Sequence, residues 1–348
     1  MRIFNLFLLA GAMATVASAA PAISGVFNAA NDQPTIASAT FISIFGSNLA
    51  TTTDSWSNFA GGNLPGSLDG VQVTINGKPA YVAFVSPGQI NVIVPDDPAV
   101  GMVPVVVTNA QGSSNAFMVN KQAIAPGLFA YSQEGGAYAV VQAALTYEPV
   151  APPGLLGTTV TTVRAVPYEN VVLWATGLGP TNPPQPTGQV LSGPVPLASP
   201  VQITIGGQTV TPQFVGLVYS GVYQINLQIP PLPSGDATIT ISANGVSGGS
   251  ALVPIQAPLV PIAGQTEPQL KGCITGPVNY ITYAAGSVPF NEPTDVSIAG
   301  TDICPTCSIR TPLYWKFAAR MDLALRSNKT IKACYDQNGI IYDVTIQH

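Results

Sequence analysis

Val71-Gln72-Val73-Thr74-Ile75-Asn76-Gly77 and Val201-Gln202-Ile203-Thr204-Ile205-Gly206-Gly207 are two renderings of one phrase. In each, apolar and polar side chains alternate and then meet a turn pair, the pattern of a strand with one face buried and one face wet. The correspondence continues in order. Gln89-Ile90-Asn91-Val92-Ile93-Val94-Pro95 answers to Gln224-Ile225-Asn226-Leu227-Gln228-Ile229-Pro230, and residues 105–116 answer to 239–251, with Gly112 and Gly245 at the equivalent turn. One β-rich module therefore occurs twice and makes up most of the chain.

Around these anchors, short apolar runs separated by Gly, Pro, Asn and Asp predict strands at 22–28, 40–45, 71–75, 81–85, 89–94, 103–108 and 116–120. That many strands in about 100 residues predicts a sandwich of two antiparallel sheets. Ser86-Pro87-Gly88-Gln89 has Pro and Gly at the central positions of a type II turn. The second copy predicts strands at 137–142, 171–175, 201–205, 213–217, 223–229, 238–242 and 250–255, with Trp174 inside one of them and expected in the core. Its loops are longer. Pro180, Pro183, Pro184, Pro186, Pro194, Pro196 and Pro200 lack the N–H a sheet ladder needs and are expected outside the sheets. Ala125-Pro126-Gly127-Leu128-Phe129-Ala130 joins the copies with so short a break that two docked modules are expected, not two beads on a tether.

Composition narrows the function classes. Of 348 residues 47% are apolar, with 34 Gly and 33 Pro, which suits short strands and many turns and leaves little room for helix. Only 8% are charged, against about a quarter in ordinary proteins. The net charge is -5, and residues 20–257 contain only Lys78, Lys121 and Arg164 as bases, so no cationic stripe exists to follow a phosphate backbone and no nucleic-acid partner is expected. The single histidine, His348, is the last residue. An imidazole at a frayed terminus cannot be held by a third group, which excludes Ser-His-Asp and Cys-His catalysis and any site built on several histidine ligands. Asp96-Asp97 follows Pro95 and reads as a solvated turn pair, as do Asp69 and Glu169 just ahead of strands. No Asp-x-Asp-x-Asp/Asn calcium loop occurs. No catalytic residue, metal or cofactor is expected.

At the N-terminus, Met1-Arg2, an apolar run over 3–16 and Ala17-Ser18-Ala19 form the three parts of an export signal, with cleavage expected after Ala19. No later run is long enough to span a bilayer, so the expected location is outside the cytoplasm: secreted, periplasmic or at the cell surface.

All four cysteines, Cys273, Cys304, Cys307 and Cys334, fall after the second copy. In an exported chain a small unit of this size is expected to be stapled by two disulfides, of unspecified pairing. Residues 258–348 carry seven acids and seven bases, so the net charge lies in the tandem. Thr311 and Pro312 open a predicted helix to about Asn328, with Leu313, Phe317, Met321 and Leu325 on one stripe. A hairpin around Asn338-Gly339 follows, which together predicts a small α+β domain. It is similar to the small oligomerising OB-like modules of bacterial exported proteins, which implies oligomerisation through the C-terminal module. Cys304-Pro305-Thr306-Cys307 has the spacing of a thiol oxidoreductase site, although the predicted helix begins several residues too late to lower a thiol pKa.

The runs Pro21-Ala22-Ile23-Ser24-Gly25-Val26-Phe27-Asn28-Ala29-Ala30, Ile44-Phe45-Gly46-Ser47-Asn48-Leu49-Ala50, Val85-Ser86-Pro87-Gly88-Gln89-Ile90-Asn91, Ala125-Pro126-Gly127-Leu128-Phe129, Trp174-Ala175-Thr176-Gly177-Leu178-Gly179-Pro180 and Tyr223-Gln224-Ile225-Asn226 together resemble the Solibacter-type uncharacterised C-terminal domain of acidobacterial exported proteins, over residues 21–257. The resemblance implies an exported tandem of Ig-like, TIG-like sandwiches and brings no catalytic residues with it. This chain departs from that pattern, since the modules open the mature chain and a cysteine-bearing tail follows them.

The expected organisation is a signal peptide at 1–19, sandwiches at 20–124 and 125–257, and the cysteine-containing module at 258–348. The expected function is non-catalytic binding, adhesion or structure at the cell surface, with a glycan, cell-wall or protein partner. Trp56 and Phe59 in a Gly-rich loop, and Tyr219 and Tyr223 around Gly221, are the candidate contacts, because exposed aromatics stack on sugars and anchor proteins. The alternative is a thiol-active or metal-binding protein using Cys304 and Cys307, with the sandwiches as spacer.

Overall fold

Alternation along the repeated phrase decides which side chains enter the core. Val71, Val73 and Ile75 are buried while Gln72 is exposed, and Val201, Ile203 and Ile205 are buried while Gln202 is exposed. The computed structural model describes residues 19–57, 59, 62–133, 136–144, 146–256, 270–283, 293–298, 301–302, 328–336 and 341–346. Among these the chain is all β, with no α-helix.

In the first sandwich one sheet runs in the order Ala22–Asn28, Phe41–Ser47, Gln89–Ile93, Tyr81–Val85, Asp54–Ser55. The other has Thr35–Ile36, Phe117–Lys121, Gly101–Asn109, Val71–Ile75 and Ser67–Leu68 along its path. Their inward residues, among them Ile42, Ile44, Val73, Ile90, Val92 and Val105, close one core. The second sandwich repeats the plan. Val222–Gln228 lies between Asn170–Thr176 and Phe214–Tyr219, as Gln89–Ile93 lies between Phe41–Ser47 and Tyr81–Val85. Val201–Ile205 pairs with Gly235–Ala243, as Val71–Ile75 pairs with Gly101–Asn109. A separate core forms around Leu173, Ile203, Ile225, Leu227 and Ile241. The turn after the repeated strand has both central residues at positive φ in each copy, Asn76 (50°) with Gly77 (73°) and Gly206 (58°) with Gly207 (79°). That is the left-handed pair a tight hairpin between twisted strands requires.

Four expectations are corrected. Trp174 is half-buried on the outer face, because its neighbours Leu173 and Ala175 take the inward positions and strand alternation sends Trp174 the other way. Gly88 does not take the positive φ of a type II turn. The turn closes instead through Ser86, whose Oγ accepts from Gln89 N–H (3.0 Å) while Ser86 N–H donates to Gln89 O (2.8 Å). Pro196 is not outside the sheets: Val195–Pro196 is a two-residue edge strand against Phe214–Tyr219, a place where a missing N–H can face away from the ladder. Glu169 is buried, not solvated, and its Oε2 accepts from Val166 N–H at 3.0 Å.

Of the tail, the described residues show the β part of the expected α+β unit. They form one antiparallel sheet in the order Thr301–Asp302, Pro293–Ile298, Leu270–Tyr283, Thr330–Asp336, Ile341–Ile346. The pairing of Thr330–Asp336 with Ile341–Ile346 is the hairpin the Asn-Gly turn predicts. The side chains of all four cysteines lie outside the described residues. The predicted helix up to residue 327, the Cys304/Cys307 pair and the export signal through residue 18 lie outside them.

Candidate binding surface

The sequence places Asp96-Asp97 directly after the Gln-Ile-Asn strand, and the fold carries that strand end to the seam between the two sandwiches. Asp97 organises its own module. Its Oδ2 accepts from Asn76 Nδ2 at 2.7 Å, its Oδ1 from Ala99 N–H at 3.1 Å, and Lys78 Nζ stands 3.4 Å from Oδ1. The Asn76 and Ala99 hydrogen bonds, with Lys78, hold its carboxyl below the usual carboxylate range. Lys121, 2% exposed, donates to the carbonyls of Asp97 (2.6 Å) and Ala99 (2.9 Å), and its burial lowers its own pKa.

Asp96 faces the other module. Its carboxylate accepts from both Thr187 N–H (2.8 Å) and Thr187 Oγ1–H (2.6 Å), in the Pro-rich loop of the second sandwich. Tyr81 donates its hydroxyl to Thr187 O at 3.0 Å, and its ring lies against Gly188, where a Cβ would fall 2.1 Å from the Tyr81 Cζ. Burial, then the Asp96 charge, raises the Tyr81 pKa. Beside them Leu64 N–H donates to Gly188 O (2.7 Å) and Val190 N–H to Gly62 O (2.8 Å), so the two loops zip together by backbone bonds.

A second set of contacts also crosses the seam. Asn28 Nδ2 donates to Ala125 O (2.8 Å), and Asn31 Nδ2 to Pro126 O (3.0 Å) and Gly248 O (3.1 Å). Thr176 Oγ1 accepts from Phe41 N–H (2.9 Å) and donates to Gly221 O (2.6 Å), linking both modules at one hydroxyl. The linker is therefore a bonded part of the seam.

The candidate aromatics divide on this frame. Trp56 is half-buried, with the Phe59 ring at 5.5 Å and the Phe41 ring at 6.2 Å, both nearly perpendicular to it. Phe59 is 42% exposed. Tyr219, 67% exposed, sits on the hairpin whose tip, Gly221, rests on Phe41 and Ile93; a Cβ there would come within 3.2 Å of Phe41. Phe41 thus touches Trp56 on its own module and the Tyr219 hairpin on the other. Tyr223 is corrected: it is 2% exposed, in the inward register with Ile225 and Leu227, and its hydroxyl donates to Gly179 O at 2.5 Å. Burial pushes its pKa up strongly, and it offers no surface to a ligand. A cavity of about 480 Å³ opens elsewhere on the second sandwich, between 197–203 and 209–215, and none of the four candidates lines it. Among the described residues no group of three or more His, Cys, Asp or Glu is placed to hold a metal ion, and no helix is long and apolar enough to cross a membrane. Sequence reasoning missed Phe41, Thr176 and the Asp96–Thr187 link. Only the glycine following Thr187 in the Pro-rich loop hinted at a close approach.

Residues 32–120, within the first sandwich, match the IPT/TIG domain. No curated protein matches the sequence. Among solved structures, similarity is found to SGBP-B of the Bacteroides ovatus mixed-linkage glucan utilization locus, solved in complex with a mixed-linkage heptasaccharide (15% identity, 72% of this chain and 46% of that one, TM-score 0.28). It is also found to SGBP-B from a complex xyloglucan utilization locus in Bacteroides uniformis (15%, 80% and 61%, TM-score 0.22) and to an auxiliary nutrient binding protein from Bacteroides ovatus (11%, 94% and 71%, TM-score 0.21). The chain spans less than two thirds of the first two, and scores this low carry neither the overall arrangement nor an activity across.

Proposed function

We propose that this chain is an exported, non-catalytic binding protein of the cell surface or extracellular space, and that it holds a glycan or cell-wall polymer at the seam of its two sandwiches. The observation that carries this reading is the aromatic row Phe41–Trp56–Phe59, continued across the seam by the hairpin bearing the exposed Tyr219. Aromatic faces stack on sugar rings, and a surface with so little charge competes weakly for ionic ligands. Docking of the modules lends the row a fixed support, since residues from both are held by side-chain and backbone bonds.

The finer parts of the reading are ours as well: residues 21–257 as one Solibacter-type tandem, removal of 1–19 on export, and oligomerisation through the C-terminal module. The tail cysteines form disulfides, and the direct opposition of Cys273 and Cys334 in the antiparallel register supports pairing those two. The test is retention on a panel of glycans and isolated cell wall. Full-length protein is expected to bind at least one member, and Trp56→Ala, Phe59→Ala and Tyr219→Ala to weaken that binding by about tenfold each. Equal retention of all three variants and the unsubstituted protein refutes the seam as the contact.

A further inference from the structure

The Gln-Ile-Asn strand of each copy carries an outward arrangement that the core does not require. Gln89 Nε2 donates to Asn91 Oδ1 at 2.9 Å, and Gln224 Nε2 donates to Asn226 Oδ1 at 2.8 Å. Across the sheet, an aromatic residue stands directly opposite the glutamine in both: Phe45 opposite Gln89, and Trp174 opposite Gln224. Phe45 is 36% exposed, and Trp174, Gln89, Asn91, Gln224 and Asn226 are half-buried. Phe27 extends the first platform, its ring 6.1 Å from that of Phe45, and Gln142 extends the second, its Oε1 accepting from Trp174 Nε1 at 3.2 Å. The internal amide bond uses one donor and one acceptor, and in the first copy Asn91 Oδ1 also accepts from Ser43 Oγ at 3.1 Å. That leaves Gln Oε1 and Asn Nδ2 of each pair with no protein partner among the described residues.

From this we infer that the outer faces of the two Gln-Ile-Asn sheets are a duplicated pair of subsites for a neutral polysaccharide, an inference that rests on the glycan-binding reading above. The chemistry matches. One aromatic face receives the C–H side of a sugar ring, while an adjacent acceptor and donor suit neighbouring hydroxyls. The strands Phe41–Ser47, Gln89–Ile93, Asn170–Thr176 and Val222–Gln228 contain no charged residue, so an uncharged polymer loses nothing to repulsion or to stripping of counter-ions. A ligand that repeats along its own length also suits a site that the protein repeats, since the second contact is then made within the first complex.

The experiment is affinity electrophoresis of the full chain in gels containing mixed-linkage β-glucan, xylan, galactomannan or, as the anionic control, alginate. At least one neutral polymer is expected to retard the protein. Phe45→Ala and Trp174→Ala should each weaken that retardation about tenfold, and the double variant about 100-fold or more. Asn91→Asp and Asn226→Asp keep side-chain size and the acceptor of the glutamine bond but remove the Nδ2 donor, so they should weaken binding with unchanged thermal unfolding. Retardation of the Phe45/Trp174 double variant at full strength, while Trp56→Ala reduces it, overturns the duplicated subsites and leaves the seam standing. Retardation by alginate alone also overturns them, as does no retardation by any neutral polymer, and the seam is then decided separately by retention on the glycan and cell-wall panel.

Discussion

Removing the Asp96 carboxylate should uncouple the two sandwiches without unfolding either. Asp96→Ala deletes two charge-assisted hydrogen bonds, to Thr187 N–H at 2.8 Å and Thr187 Oγ1–H at 2.6 Å. Bonds to a charged group contribute about 1.5–3 kcal/mol each when buried, but Asp96 is exposed and water replaces part of what is lost, so about 1–2 kcal/mol in total is the reasonable expectation. Thr187→Ala removes only the hydroxyl bond and should cost about 0.5–1 kcal/mol. If the two side chains act on each other, the double variant costs less than the sum of the singles by about 0.5–1 kcal/mol. Gly188→Ala tests the same contact by steric means. A Cβ there meets the Tyr81 ring at 2.1 Å with the backbone at φ +94°, which forces the ring away, forfeits its 3.0 Å bond to Thr187 O and costs about 2–3 kcal/mol. Urea unfolding of the four proteins provides the cycle. Amide exchange at Leu64 and Val190, whose N–H groups bond Gly188 O and Gly62 O, reports the seam directly. Additivity within about 0.3 kcal/mol, together with unchanged exchange at both amides, would refute the coupling.

Three other perturbations follow from the geometry. Gly177→Ala places a Cβ 2.0 Å from the Ala125 carbonyl oxygen at φ +67°, and because backbone cannot swing aside the loss should reach about 3 kcal/mol or more in a thermal melt; a shift within error would mean the linker is not held as described. Lys121→Met keeps the apolar stem but leaves the Asp97 and Ala99 carbonyls without their ammonium, an expected loss of about 2 kcal/mol by urea unfolding, and an equal or higher midpoint would contradict it. Asp97 has a folded pKa below its unfolded value, so its stabilisation is fully present above about pH 4 and is lost as pH falls through the folded pKa. The urea midpoint should therefore drop more steeply between pH 5 and pH 2.5 in the unsubstituted protein than in Asp97→Asn, and parallel curves would remove Asp97 as the cause.

Strand alternation is a local property, and what depends on it alone was legible in the sequence. Val71–Ile75, Tyr81–Val85 and Val201–Ile205 fall where the pattern predicts them, because two-residue periodicity and flanking turn residues need no partner to be read. Trp174 and Tyr223 depart from expectation for a related reason: hydrophobic size does not override parity for the first, and nearness to a glycine turn does not override it for the second. Leu173 and Ala175 inward put Trp174 outward, and Ile225 and Leu227 inward put Tyr223 inward with them. The seam lay beyond such reasoning. Asp96 meets Thr187 across 91 residues and Asn31 meets Gly248 across 217, and neither pairing leaves a periodic trace.

The duplication supplies a comparison within one chain that separates what the fold demands from what it tolerates. Inward positions must be apolar and no more, and they drift accordingly: Val92 corresponds to Leu227 and Val73 to Ile203. Outward positions need not be apolar, and some drift widely: Ser43, buried opposite Asn91 and donating to its Oδ1 at 3.1 Å, becomes Val172 opposite Asn226. Gln89 and Asn91 do not drift; both recur as Gln224 and Asn226, with the same amide bond and an aromatic across the strand. A half-exposed amide bond adds about 1 kcal/mol or less to stability, which many other side-chain pairs on a sheet surface supply equally well. Folding alone therefore gives little reason for this pair to persist where its neighbours changed, whereas a ligand contacted by both copies gives a direct one.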